Sequence, residues 1–119
     1  MPSAPLAFET EARLLALLAH PMRLQILELL RQGEVCVCDM QAALNQRQAY
    51  VSQHLMALRE AGLVACRKDG LRVYYRLSDP RLLRVLDQVR VVSQGPREER
   101  VRLFQASKQL LQKSTNRAG

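Results

Sequence analysis

The first apolar positions to recur are Leu14, Leu15, Leu17 and Leu18, inside a stretch from Glu9 to Ala19. Spacings of three and four put them on one side of a helix. Residues 1–8 carry no such period and are expected to form a flexible arm. His20-Pro21 breaks the run, because proline disfavours helix at the residue before it yet fits the first turn of a new one. A second helix is therefore expected from Pro21, burying Ile26, Leu27 and Leu30 and stopping near Gly33. Residues 36–45 predict a short third helix with Met40, Ala43 and Leu44 on its apolar face. A polar turn, Asn45-Gln46-Arg47, leads into a fourth helix from about Gln48 to Ala61, with Val51, Leu55 and Leu58 inward and Gly62 as its stop.

The period then changes. Two extended runs flank Lys68-Asp69-Gly70-Leu71, and an Asp-Gly pair in that setting predicts a hairpin over residues 63–77. Ser78-Asp79-Pro80 reads as a helix entry, a capping side chain followed by proline at the first position. The helix from Pro80 to about Val92 is expected to bury Leu82, Leu83, Leu86 and Val89. Gln94-Gly95-Pro96 interrupts it, and residues 97–113 predict a last, weakly amphipathic helix containing Val101, Phe104 and Leu111. The expected organisation is one domain over residues 9–92, a helical extension over 93–113, and flexible ends at 1–8 and 114–119. Helix, helix, short helix, turn, helix, hairpin, helix is the order of a winged helix-turn-helix, mainly α with a small β-hairpin. The third and fourth helices form the paired motif.

Composition adds a partner. The 119 residues hold 18 Lys and Arg against 11 Asp and Glu, a net charge of +7. A basic chain of this kind points to a polyanion, and double-stranded DNA fits the motif. Of the 18 basic residues 15 are Arg, the side chain suited to bidentate contacts with phosphate and guanine. The fourth helix is expected to enter the major groove, presenting Gln48, Tyr50, Gln53 and His54, with Ser52 nearby and Arg47 just ahead. Residues 47–76 hold six basic side chains against two acids, a net +4, and four of the six lie in the hairpin. Arg67, Lys68 and Arg72 are the wing residues expected on phosphate or in the minor groove. Only 4% of residues are aromatic, so Leu must supply most of the core.

Other classes fall away. No apolar run approaches the ~20 residues that span a bilayer, and the Arg residues cluster on a hairpin rather than along an amphipathic helix, so no membrane partner is expected. The start shows no basic segment ahead of an apolar stretch, so no signal peptide is expected. Three cysteines make no disulfide framework, which suits a reducing cytoplasm. No Ser-His-Asp set, Gly-rich phosphate loop or paired catalytic carboxylates is present, and no enzyme is expected.

The stretch AHPMRLQILELLRQGEVCVCDMQAALNQRQAYVSQHLMALREAGLVACRKDGLRVYYRL resembles the ArsR/SmtB family of bacterial metal- and thiol-sensing repressors. The resemblance covers roughly residues 12–92. It is carried by His20-Pro21-Met22-Arg23, by Val51-Ser52-Gln53-His54-Leu55 and by Leu58-Arg59-Glu60-Ala61-Gly62-Leu63. It implies a homodimer on a palindromic operator, joined through the first and fifth helices, with an inducer that lowers DNA affinity. Leu14, Leu17, Leu82, Leu86 and Val89 are then the expected interface positions.

Glu34-Val35-Cys36-Val37-Cys38-Asp39-Met40 is similar to the family's metal box, and the match transfers to Cys36 and Cys38. It stops at Gln41, where arsenic-sensing members carry a third Cys. Residues two apart in a regular helix point ~200° apart. At an N-cap, however, Cys36 is not yet helical and can swing over the first turn beside Cys38. The free N–H groups and helix dipole there favour thiolate. Sulfur ligands suit As(III), Cd(II), Pb(II) or Zn(II). Cys66, on the first wing strand, is the candidate for a third ligand, from its own chain or a partner's. The alternative on the same scaffold is sensing of oxidants or reactive sulfur, which needs no ion. A dithiol redox enzyme or metal carrier fits poorly, because such enzymes carry Cys-x-x-Cys in a βαβ setting and this segment is helical. His20 reads as a packing and capping residue, and Tyr74 and Tyr75 as wing and core packing.

Overall fold

A computed structural model describes residues 7–96, 101, 102, 104–106, 108 and 109. Two helices open the chain, α1 (Glu9–Leu18) and α2 (Pro21–Leu29), the latter closing in a 3-10 turn over Leu30–Gln32. The break between them follows the expected chemistry. His20 is extended at the N-cap, Pro21 takes the first helical position, and the His20 carbonyl accepts from the Leu24 N–H.

A two-residue strand, β1 (Val35–Cys36), runs directly into α3 (Val37–Leu44). Asn45, left-handed at φ 51°, ends α3, a conformation its short polar side chain tolerates. Three residues later α4 (Gln48–Glu60) begins. Its end is a Schellman motif. Gly62 at φ 77° bonds back to the Arg59 carbonyl and the Leu63 N–H to that of Leu58.

The wing strands are β2 (Val64–Asp69) and β3 (Arg72–Leu77), paired in antiparallel register with Asp69 opposite Arg72. The two turn residues are thus Gly70 and Leu71, one place later than the Asp-Gly pair suggested. Gly70 has φ 63°, the positive angle a type II′ turn needs at its first central position. The sheet has three strands, not the two of the expected hairpin. β1 adds to the free edge of β3 in the order β1-β3-β2, with Val35 opposite Tyr75 and Cys36 opposite Tyr74. The helix α5 (Arg81–Ser93) follows, its entry held by the Asp79 carboxylate, which accepts from the Arg81 N–H at 3.0 Å and pairs with the Arg81 guanidinium.

The chain divides into two compact units, Met1–Leu83 and Arg84–Gly119. The first has a core in which Ile26 and Leu27 of α2, Met40 of α3, and Val51, Leu55 and Leu58 of α4 are all 0% exposed. Ala43, expected on the inner face of α3, is exposed, one position too far round the helix. In the second unit the described part of the last expected helix, residues 101, 102, 104–106, 108 and 109, is helical. The rest of the 97–113 segment, residues 1–6 of the expected arm and the 114–119 tail lie outside the described residues. No described helix is long and apolar enough to cross a membrane.

Candidate effector cleft and nucleic-acid interface

Cys36 is extended (φ −70°, ψ 143°) at the N-cap of α3, and Cys38 lies in the first helical turn. With Cys36 outside the helix, the 200° separation does not apply, and the two sulfurs sit 2.7 Å apart. Cys36 is 3% exposed whereas Cys38 is open to solvent. The pair divides its charge unequally. The contact with Cys38 lowers the Cys36 pKa from the ordinary thiol value, and the Cys38 and Asp39 N–H groups act in the same direction. Those N–H groups face the sulfur without closing a capping hydrogen bond of ordinary geometry. The same contact, with desolvation, raises the pKa of Cys38.

The sulfurs open onto a cleft of about 230 Å³. Gln41 of α3 lines it at the place where the resemblance would put a third thiol. Gln48 and Ser52 from the first turns of α4 form one wall, and Leu71, Arg72 and Val73 at the wing tip form another. Cys66 does not join the pair within one chain. It is opposite Tyr75, while Cys36 is opposite Tyr74, and it does not line the cleft. Among the described residues no three His, Cys, Asp or Glu groups are placed to hold one ion.

The outer face of α4 carries exposed Gln48, Tyr50 and Gln53, with Arg47 exposed at the N-cap. Ser52 and His54 are half-buried. His54 is turned toward α2, where its Nδ1 accepts from Nε of Arg23 at 3.1 Å, and it meets the Tyr50 ring edge-on. Burial first, then the charges of Arg23 and His20, hold its pKa below the usual imidazole value. His54 is thus held between Arg23 of α2 and Tyr50 of its own helix. Sequence reasoning passed over Arg23, whose only signal was its place in the His20–Arg23 stretch.

On the wing, Lys68 and Arg72 are exposed. A hydrogen bond with Tyr74, then that residue's charge, pushes the Arg72 pKa above its ordinary value. Arg67 is committed internally. Nε and Nη2 donate to the two Glu34 carboxylate oxygens at 2.6 and 2.8 Å, and the guanidinium lies 4.6 Å from the centre of the Tyr74 ring. Of the positions expected at a seam between chains, Leu14, Leu17 and Leu86 are half-buried. Leu82, at 7% exposure, belongs to the core of its own chain, whereas Val89, expected to be buried, is 50% exposed. The open apolar residues of α5 are Val85, Val89, Val91 and Val92.

A family model described as "Bacterial regulatory protein, arsR family" matches residues 20–65. The biofilm growth-associated repressor of Agrobacterium fabrum is 39% identical over 87 residues, 73% of this chain and 74% of that protein. The arsenical resistance operon repressor of Escherichia coli is 47% identical over 74 residues, 61% of this chain and 63% of that protein. A solution structure of a homodimeric winged helix-turn-helix DNA-binding domain from Mycobacterium bovis, a possible ArsR-family regulator, superposes with a TM-score of 0.64 at 35% identity, over 78% of this chain and 90% of that one. Winged helix-turn-helix architecture, family model and relatives agree, and the chain belongs to the ArsR/SmtB family of DNA-binding transcriptional repressors.

Proposed function

We propose that this repressor binds a palindromic operator as a homodimer through residues 9–92, and leaves it when a soft metal or metalloid ion takes the Cys36 and Cys38 sulfurs. The observation that carries this reading is the 2.7 Å sulfur pair opening on a cleft whose walls are the first turns of α4 and the tip of the wing. On α4, Gln48, Tyr50 and Gln53 face the major groove; Arg47, Lys68 and Arg72 meet phosphate.

The donor set fits a thiophilic ion in part. Two adjacent sulfurs suit As(III), Cd(II), Pb(II) or Zn(II), and the remaining positions fall to water or to a group of the second protomer. Arsenic heads this group because a relative 47% identical is an arsenical resistance operon repressor. The coupling follows from what Cys36 does in the backbone. It is at once the N-cap of α3 and the strand partner of Tyr74. Drawing its sulfur onto a shared ligand disturbs the start of α3 and the edge of the wing together, and Met40 transmits the shift to the core under α4. Such coupling needs only ~1–3 kcal/mol to change affinity about 5–150-fold.

The test is release of DNA-bound protein, followed by fluorescence anisotropy, on titration with As(III), Cd(II), Pb(II) or Zn(II). Cys36→Ser keeps a good cap and should bind DNA normally yet fail to release it. Cys38→Ser should do the same, and Cys66→Ser should follow them only if the partner's thiol completes the site. Full release from the Cys36→Ser, Cys38→Ser double mutant would move the sensor elsewhere. A second reading, oxidation of the two thiols to a disulfide, is favoured by their contact. Release by diamide or polysulfide without any ion would select it.

A further inference from the structure

Arg23 belongs to the His20–Arg23 stretch, which neither the cleft nor the DNA-reading face uses. Its guanidinium joins two helices. Nη1 donates to the Leu17 carbonyl in the last turn of α1 at 2.9 Å, and Nε donates to Nδ1 of His54 on α4 at 3.1 Å. The carbonyls of a helix's last turn lack partners within the helix and carry the negative end of its dipole, so a guanidinium is well matched there. One turn earlier on α4, Tyr50 stands edge-on to His54, ring centres 4.7 Å apart. Tyr50 is one of the exposed side chains of the reading face.

We propose that Arg23 is a positioning residue for the recognition helix: through a neutral His54 it fixes where Tyr50 and the first turns of α4 stand relative to the end of α1. The inference rests on the assignment of α4 as the DNA-reading helix. The fork geometry is what matters, because one planar guanidinium serves two acceptors on different elements and an ammonium does not reproduce that.

The arrangement requires an unprotonated Nδ1. His20 and Arg23 face His54 from the start of α2, their charges acting in that region, and Tyr50 faces it from α4 itself. α3 and β2 also pack on α4, and no charged group of either acts on His54. Protonation therefore removes the acceptor and sets a cation beside the guanidinium, with no carboxylate among the described residues acting on it. The contact is made above the lowered His54 pKa and lost as pH falls through it. The resulting sign is unusual. An added proton on a DNA-binding surface ordinarily strengthens attachment to a polyanion, whereas here it should weaken it.

The probe is a duplex selected from a random pool by the wild-type protein, with affinity measured from about pH 5 to 8 and both imidazoles followed by NMR. Wild-type affinity should fall about tenfold toward acid, with a midpoint tracking His54 rather than His20. His54→Asn, which keeps an acceptor near the place of Nδ1 and does not titrate, should flatten the profile. Arg23→Lys, which keeps the charge and loses the fork, should bind about tenfold more weakly at neutral pH. Affinity that rises toward acid, an unchanged profile in His54→Asn, or wild-type binding by Arg23→Lys would overturn the proposal. Should Arg23→Lys prove unfolded by circular dichroism, the wild-type and His54→Asn profiles decide alone. Failure to select any duplex, or undiminished selectivity in Gln53→Ala, would instead refute the role of α4.

Discussion

α4 and α5 are both thirteen residues long, and they use their apolar side chains in opposite ways. α4 buries Val51, Leu55 and Leu58 completely in its own chain, and most of what it shows outside is polar. α5 buries only Leu82 and leaves Val85, Val89, Val91 and Val92 open. A helix finished within its own core and polar on the outside is prepared for a wet, charged surface. One that leaves valines on its outer side is prepared for another protein surface. The two helices mark the two partners of the proposed assembly, DNA and a second copy of the chain, and they call for opposite chemistry in any test.

Salt should separate them most. If a dimer neutralises ~6–10 phosphates, DNA affinity should fall about 10³–10⁵-fold between roughly 50 and 200 mM salt. An apolar contact between α5 surfaces is not screened in this way, so sedimentation should show the dimer intact over the same range. Parallel loss of both would show that the dimer, too, is electrostatic.

Truncation should then reverse the ranking of the two helices according to what is measured. Leu55→Ala removes a fully buried side chain and should cost about 2–5 kcal/mol in chemical denaturation. Val89→Ala should change denaturation of the isolated protomer by less than about 0.5 kcal/mol. Val89→Asp, which sets a carboxylate in an apolar seam, should leave a folded monomer with DNA binding lost, since two half-sites are no longer held together. A dimeric Val89→Asp protein would take that face out of the interface.

The smallest effect belongs to the wing. Hydrogen bonding from Arg67 holds the Glu34 carboxyl below its ordinary pKa, so the pair's contribution is present above the unfolded value of 4.5 and fades as pH falls through the lower folded value. The pair is largely exposed, and exposed pairs contribute little. Glu34→Gln should therefore lower the melting temperature slightly at neutral pH and lose less than the wild type on acidification. Identical acid sensitivity in the two proteins would show that the Glu34–Arg67 pair does not hold the wing.

The same contrast explains what was legible beforehand. Long, strongly periodic stretches declared themselves: the α2 and α4 cores, the break at His20-Pro21 and the stop at Gly62 all follow from local rules. β1 did not, because two residues carry no period, and its existence depends on the distant edge of β3. The hairpin was visible, but its turn lies one residue later, since glycine is needed at the first central position and not the second. On α5 the 3.6-residue pattern marked an apolar stripe without saying which part meets its own core, so Leu82 and Val89, given one role in the sequence, part company: Leu82 is buried and Val89 open. Cys36 and Cys38 were readable because an N-cap is a local device. The face of Cys66 depends on strand register, and the inward turn of His54 on an arginine thirty-one residues away; neither leaves a mark in the spacing.

The short pairing of Val35–Cys36 with Tyr75 and Tyr74 has a consequence for how such a regulator changes over time. On the proposed function the thiol-bearing residue is itself a junction of the backbone, so the switch would have no long wire that mutation must preserve. Replacing Gln41 or another side chain lining the cleft would then alter which chemical is detected while the machinery that answers it stays intact. A lineage built this way would be free to explore new inducers one substitution at a time.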